Sequence, residues 1–362
     1  MADDGIKTVI GVDLGDKYSE MCVIHRTTGE TERLRVGTTR KALERVLGTF
    51  KEVRTAIEVG AHSRWVSQLL KDLGHEVVVA NPRMLPLIYA ANHKDDGADC
   101  EKLASIADYK PSLLSPVDHR SSEFQADLAV LRARDALVAA RTKLINHVRG
   151  AVKSEGERIP TCSTRSFSSS TADHIPERFR EALEPVVQQI KSITTTIRGL
   201  DKKVEALNKK YTATARLRQV AGVGPITALA FVLTLANPLR FKKSRDVGAY
   251  LGLVSRKCQS GGRDPELQIT KAGDPLLRKL LVQSAQYILG PFGPECDLRT
   301  WGLALAKRGR KNAKKRAVIA VARKLSVLLH RLWVTGKPYE PLRAGKDPKV
   351  GPAATPVPVG SS

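Results

Sequence analysis

The chain has no cysteine pattern that would hold zinc or a disulfide framework. Its five cysteines (Cys22, Cys100, Cys162, Cys258 and Cys296) are scattered, odd in number and without paired ligand spacing. It also lacks a long apolar run. The longest, Ile226 to Ala236, is too short to span a bilayer. No positive n-region opens the chain, because Asp3 and Asp4 stand where a signal peptide would carry lysine or arginine. These absences argue against membrane and secreted classes. The expected place is the bacterial cytoplasm, in association with the nucleoid.

Acidic residues are short in only part of the chain. The formal charge is +23 with a pI near 10.0. Residues 1–110 hold 16 Lys+Arg against 17 Asp+Glu, so residues 111–362 carry a net +24. A polyanionic partner with salt-dependent affinity is therefore expected to bind mainly through the later region. With 362 residues, 42% of them hydrophobic, the chain can build two or three cores.

Residues 7–110 alternate between the two periodicities. Strands are expected at Lys7–Asp13, Glu20–His25, Thr31–Val36, Arg54–Glu58 and His75–Ala80, with helices at Arg40–Phe50, Ser63–Leu73 and Asp99–Tyr109. The order β-β-β-α-β-α-β-α is that of an RNase H/RuvC-like α/β fold. Asp13 ends the apolar run Thr8-Val9-Ile10-Gly11-Val12, and Glu58 ends Thr55-Ala56-Ile57. Asp96 and Asp99 then open the helical stretch into Leu103 and Ala104. One acidic strand tip means little, since strand ends are often acidic. Two tips followed by a carboxylate pair three apart form a set of hard oxygen ligands suited to Mg²⁺. Asp96 and Asp99 share a helix face, where like charges repel unless a cation lies between them. Asp16, Asp95 and Glu101 read as solvated charges, and His62 and Arg64 as helix N-terminal surface.

The middle region, 111–215, is helical. Leu131, Val138, Ile145 and Val152 recur every seven residues, and Val186, Ile190, Ile193, Ile197, Leu200, Val204, Leu207 and Tyr211 alternate steps of four and three. That seam predicts an antiparallel coiled coil, within the chain or between chains. The serine-rich segment 156–176 reads as a mobile connection with too few apolar groups to bury.

The third region, 216–338, is expected to be mostly helical and basic, followed by a disordered tail at 339–362. Val220-Ala221-Gly222-Val223-Gly224-Pro225 has the form of a helix-hairpin-helix turn, a weak signal by itself, with Gly222 and Gly224 able to present backbone N–H groups to phosphate. Val318 to Leu332 forms an amphipathic helix. Between Trp301 and His330 there are nine Lys/Arg and no acid. A charge run is normally a solvated face, but one without counter-charges points to phosphate binding through Lys307, Arg308, Arg310, Lys311, Lys314 and Lys315.

Two segments carry a family resemblance. One is Lys94-Asp95-Asp96-Gly97-Ala98-Asp99. The other runs from Gly222-Val223-Gly224-Pro225-Ile226-Thr227-Ala228 through Arg240-Phe241, Ala249-Tyr250-Leu251-Gly252-Leu253-Val254, Gln259-Ser260-Gly261-Gly262 and Ile269-Thr270-Lys271-Ala272-Gly273 to Leu276-Leu277-Arg278. Over about residues 7–335 the chain resembles the bacterial insertion-sequence transposases of the IS110 family. It departs from them at Asp95, where Thr or Asn is usual, and at Asp274, where Asn is commoner. The resemblance implies an N-terminal RuvC-like domain with Asp13, Glu58, Asp96 and Asp99 as its DEDD carboxylates. It also implies a C-terminal transposase domain in which Ser260 becomes joined to a DNA phosphate. It further implies donor and target DNA as substrates, a structured non-coding guide RNA as partner, and a homo-oligomer, dimeric or tetrameric in the synaptic complex.

Without the resemblance, Ser260-Gly261-Gly262 reads as a turn. Its surroundings favour more, because Arg256, Lys257, Arg263 and Lys271 crowd it with cations that suit a phosphate, and Arg278 is expected to bind nucleic acid as well. The expected activity is Mg²⁺-dependent DNA transposition and recombination through a phosphoserine. The alternatives are a hydrolytic junction resolvase using only the carboxylates, an actin-like sugar kinase using Gly11 to Gly15, and a non-enzymatic architectural protein.

Overall fold

β-Branched and aliphatic runs, continuously buried in the central strands, build one sheet in the first half of the chain. The computed structural model describes residues 5–81, 96–171, 174–256, 267–309 and 312–343, with the side chains of 96–98 excepted. The chain divides into two compact units, Met1–Arg120 and Ser121–Ser362. The first holds β1 (Thr8–Leu14), β2 (Tyr18–His25), β3 (Thr31–Gly37), β4 (Val53–Glu58) and β5 (Glu76–Ala80) in the order β3-β2-β1-β4-β5. β1, β2 and β3 pair antiparallel, and β1, β4 and β5 pair parallel. Helices α1 (Arg40–Leu47) and α2 (Ser63–Asp72) cover one face, and α3 (Asp96–Tyr109) covers the other. The expected mixed α/β half is therefore present, with each strand within two residues of its predicted bounds.

A buried histidine ties this unit together. His75 receives a hydrogen bond from the Thr55 hydroxyl at Nδ1 (2.8 Å), and its Nε2–H donates to the Leu47 carbonyl at the end of α1 (3.0 Å). That carbonyl has no partner inside its own helix. Burial holds the imidazole below its ordinary value of 6.5, and the cation of Lys51 adds to this. A depressed folded value means that protonation favours the unfolded chain. Stability should therefore be full above about pH 6.5 and fall progressively below it. Chemical unfolding at stepped pH checks this. His75→Ala should cost about 1–3 kcal/mol at neutral pH by removing two buried hydrogen bonds, although the Leu47 carbonyl keeps the Phe50 N–H at 3.2 Å, and should flatten the acid dependence.

The second unit is helical. Helix α4 (Ser122–Ser154) runs antiparallel to α6 (Glu177–Lys210), with Arg134 paired to Asp201 at 2.5 Å and Lys210 to Asp127 at 2.6 Å. Ile190, Ile193, Ile197 and Val204 of the predicted seam are buried, but Val186, Leu200, Leu207 and Tyr211 are half-buried, while Leu183, Val187, Thr194 and Asn208 are buried as well. A packed helix buries a stripe wider than a strict heptad seam. The serine-rich connection is also more anchored than predicted. Its α5 (Phe167–Thr171) buries Phe167 completely, and Arg149 lies over that ring at 5.5 Å.

Helix α7 (Ala213–Leu217) leads into α8 (Pro225–Leu235), whose residues from Thr227 onward are all buried. A helix apolar on every side belongs in a core. Helices α9 (Asp246–Tyr250), α10 (Pro275–Leu289), α11 (Asp297–Ala306) and α12 (Ala313–Thr335) complete the unit, and Leu277, Leu281, Val321 and Leu325 share a core with α8. Among the described residues no helix is long and apolar enough to cross a membrane. The tail from residue 344, part of the segment expected to be disordered, lies outside the described residues.

Candidate functional site

Alternation along the strands decides which side chains can meet. Ile10 and Val12 enter the core under α1 and α2, whereas Val9 enters the core under α3. Gly11 and Asp13 therefore share the α3 face with Val9. On β4, Ile57 belongs to the first core and Ala56 to the second, which puts Glu58 on the α3 face as well. The last parallel pair is Val12 with Ile57, so Asp13, next to last in β1, and Glu58, the last residue of β4, each stand one residue beyond it. Both are half-buried. Parallel neighbours lie about 4.8 Å apart, and the two carboxylates leave the sheet side by side.

The helix above them sits unusually close. A Cβ on Gly11 would stand 2.1 Å from the Cys100 carbonyl oxygen and 2.4 Å from the Ala104 nitrogen. Only glycine lets the first turns of α3 settle onto β1 two residues before Asp13. Asp99 is half-buried and meets Lys102 at 3.5 Å. Asp96 begins the helix, but its side chain lies outside the described residues. Cys100, buried against Cys22, has its thiol pushed up to about 11, mainly by burial and then by Cys22, with Asp13 contributing. A thiol so held is a poor metal ligand at neutral pH. Gly11→Ala should displace α3, cost about 1–3 kcal/mol and impair any chemistry that needs Asp13 and Asp99 together. A melting curve alongside an activity assay checks it.

Among the described residues no three His, Cys, Asp or Glu side chains converge tightly enough to hold an ion. Of the four sequence-predicted carboxylates, Asp13 and Glu58 are brought together, and Asp99 sits on the helix that covers them. One neighbour escapes sequence reading. Glu20 is the cross-strand partner of Asp13 on the same face, and Arg35 holds it at 3.1 Å. Only the β1–β2 register reveals it. At the rim, Trp65 donates to His62 Nδ1 (3.1 Å), so the proton on Nε2 faces Asp16 at 3.6 Å.

In the second unit, Ser260, Lys257, Arg263, Arg310 and Lys311 lie outside the described residues. The arms flanking 257–266 are well placed. Ser255 bridges Ile269 antiparallel, the Arg256 N–H donates to Gln268 O at 2.9 Å, and the Thr270 N–H donates to Val254 O at 2.9 Å. A Cβ on Gly252 would meet the Ala272 nitrogen at 2.3 Å, and one on Gly273 would meet Tyr250 O at 2.2 Å, so two glycines let the arms close. Arg278 Nη1 donates to both Leu251 O and Gly273 O at 3.1 Å and ties the arms from below. The Arg256 and Lys271 side chains stay exposed. Gly222, at φ +77°, packs against Ser284 and Tyr287, while Gly224 is exposed at the start of α8.

Lys307, Arg308, Lys314 and Lys315 are exposed around the junction of α11 and α12, and none forms an ion pair with a described residue. Neutralising several of them should weaken polynucleotide binding regardless of sequence. Each lost phosphate contact should lower the log–log salt slope by about 0.7–0.9. Filter binding across a salt series checks this, and an unchanged slope would leave the run as a solvated face.

Two family models match the chain. One, described as a transposase model of DEDD type for IS110, covers residues 10–155. The other, for the "Transposase IS116/IS110/IS902 family", covers residues 214–296. Curated relatives span most of the chain. A putative transposase of Sinorhizobium fredii is 28% identical over 78% of this chain and 73% of its own. A probable family 20 transposase of Pseudomonas aeruginosa is 28% identical over 79% and 85%. The transposase for insertion sequence element IS1328 of Yersinia enterocolitica is 29% identical over 77% and 83%.

Proposed function

Since the chain belongs to the IS110 family of insertion-sequence transposases, we propose that it cuts and rejoins the DNA strands of a mobile element, with Asp13, Glu58, Asp96 and Asp99 holding Mg²⁺ and Ser260 as nucleophile. The observation that carries this reading is the pair Asp13 and Glu58, side by side on one sheet face under a helix that Gly11 admits. The donors are carboxylates only, which suits a hard cation such as Mg²⁺. When bound, the cation would stabilise charge developing on the phosphate.

The chain's own part is nucleophile and grip. The Ser260 oxygen bonds to phosphorus as a DNA phosphodiester P–O bond breaks, leaving a hydroxyl end and a phosphoserine. That ester keeps the energy of the broken bond, so joining to a new end needs no ATP. The net charge of +24 beyond residue 110 supports donor and target DNA as partners, and a structured non-coding RNA as guide. The packed helices α4 and α6 leave half-buried Leu200 and Val138 along their length, consistent with a coiled-coil association into a homo-oligomer.

The test supplies DNA carrying the element's ends, the adjacent non-coding transcript and Mg²⁺. Strand exchange should appear, vanish with EDTA and return with added Mg²⁺. A junction resolvase would instead give only hydrolysed ends and would tolerate Ser260→Ala.

A further inference from the structure

The second unit contains a cavity of about 1260 Å³ between α11, α12 and the arms flanking 257–266. Its cations come from segments far apart in sequence, including Arg245, Lys271, Lys315, Arg323 and Arg331, and none of these five forms an ion pair with a described residue. The acids on the wall are Asp297 and Glu340, and Asp297 is engaged by the backbone N–H of Arg343 at 3.0 Å. Such an excess of positive charge around a concavity attracts a polyanion.

The cavity is not uniformly polar. Trp301 and Leu305 of α11 and Ile319 and Val327 of α12 line it, and the Lys324 ammonium stands 3.9 Å from the Trp301 ring centroid. The cationic side chains on α12 run from Lys315 to Arg331, a row about 24 Å long at ~1.5 Å per residue. A row of that length follows a chain of phosphates rather than one anion. Gly248 helps to build it, because a Cβ there would stand 3.0 Å from Arg323 Cγ. Duplex DNA offers phosphates outside and stacked bases within, and needs no apolar wall. Exposed bases beside a phosphate backbone need both, which is how unpaired strands are held.

We infer that this cavity binds an unpaired stretch of polynucleotide, with phosphates along Arg323 and Arg331 and a base against Trp301. This rests on the nucleic-acid reading of the protein and narrows it to single strands, from DNA or RNA. The test is fluorescence anisotropy of the full chain with labelled short oligo(dT), oligo(rU) and a blunt duplex of equal length. Wild type should bind the unpaired strands more tightly than the duplex, and preference between dT and rU identifies the source. Trp301→Ala should weaken unpaired-strand binding about tenfold, the ~1.4 kcal/mol expected for one stacked base. The exposed pair Arg323→Gln and Arg331→Gln should do the same with an unchanged melting temperature, and duplex binding should hold in both cases. Unpaired strands bound no better than duplex, or bound equally by the variants, would overturn the inference while leaving the nucleic-acid reading intact. Failure of wild type to bind any polynucleotide would remove both.

Discussion

Asp13→Ala and Glu58→Ala should each lower DNA strand cleavage by at least about a thousandfold. Losing one hard ligand forfeits several kcal/mol of charge stabilisation at the phosphate, and every ~1.4 kcal/mol is a factor of ten. Neither change should unfold the protein, because both side chains are half-buried at strand ends rather than in the cores. Asp16→Ala is the matched control. Its side chain is 94% exposed, and its loss should leave cleavage near wild type. Glu20→Ala separates position from ligation. Glu20 lies across from Asp13 but is held by Arg35, so its removal should cost far less than that of Asp13. Cleavage measured on labelled DNA over a Mg²⁺ series checks all four. Near-normal cutting by the Glu58 variant would remove Glu58 from the metal site.

The parts of this site that follow from local periodicity were legible in the sequence. Asp13 and Glu58 stand at the ends of apolar runs that mark buried strands, and the structure sets those strands in neighbouring parallel register and shows which face each side chain takes. What depends on pairing between distant segments was not legible. Glu20 becomes a neighbour of Asp13 only through the β1–β2 register. Gly11 looks like any strand glycine until α3 is laid on it. The helical seam was half readable, because Ile190, Ile197 and Val204 obey the heptad while Thr194 and Asn208 are buried by contacts that a hydrophobic pattern cannot register. Phe167 marks the same limit, since one aromatic in a serine-rich segment gives no hint that it anchors the segment. The sequence places Arg278 among the nucleic-acid-binding cations, yet its Nη1 is engaged by two carbonyls at the base of the arms around 257–266. Of the cavity's cations, Lys271 and Lys315 stand out in the sequence, but Arg245, Arg323 and Arg331 do not, because only the fold brings them to one wall.

The second large effect concerns Ser260. Ser260→Ala should eliminate strand joining altogether, while duplex binding and melting temperature stay at wild-type values. Removing one hydroxyl should leave untouched the grip on DNA that we propose for the exposed cations around Lys307 and Lys315. A hydroxyl is a weak nucleophile without activation, so no neighbouring side chain should substitute for it. The most direct test of the whole account is to incubate wild-type protein, guide RNA and end-labelled element DNA with Mg²⁺, denature in detergent, and look for label migrating with the protein. The account predicts a denaturation-resistant adduct whose DNA-linked peptide contains Ser260, absent from Ser260→Ala and from Asp13→Ala. Efficient cleavage by wild type with no such adduct under any divalent metal would contradict it and make the protein a hydrolase.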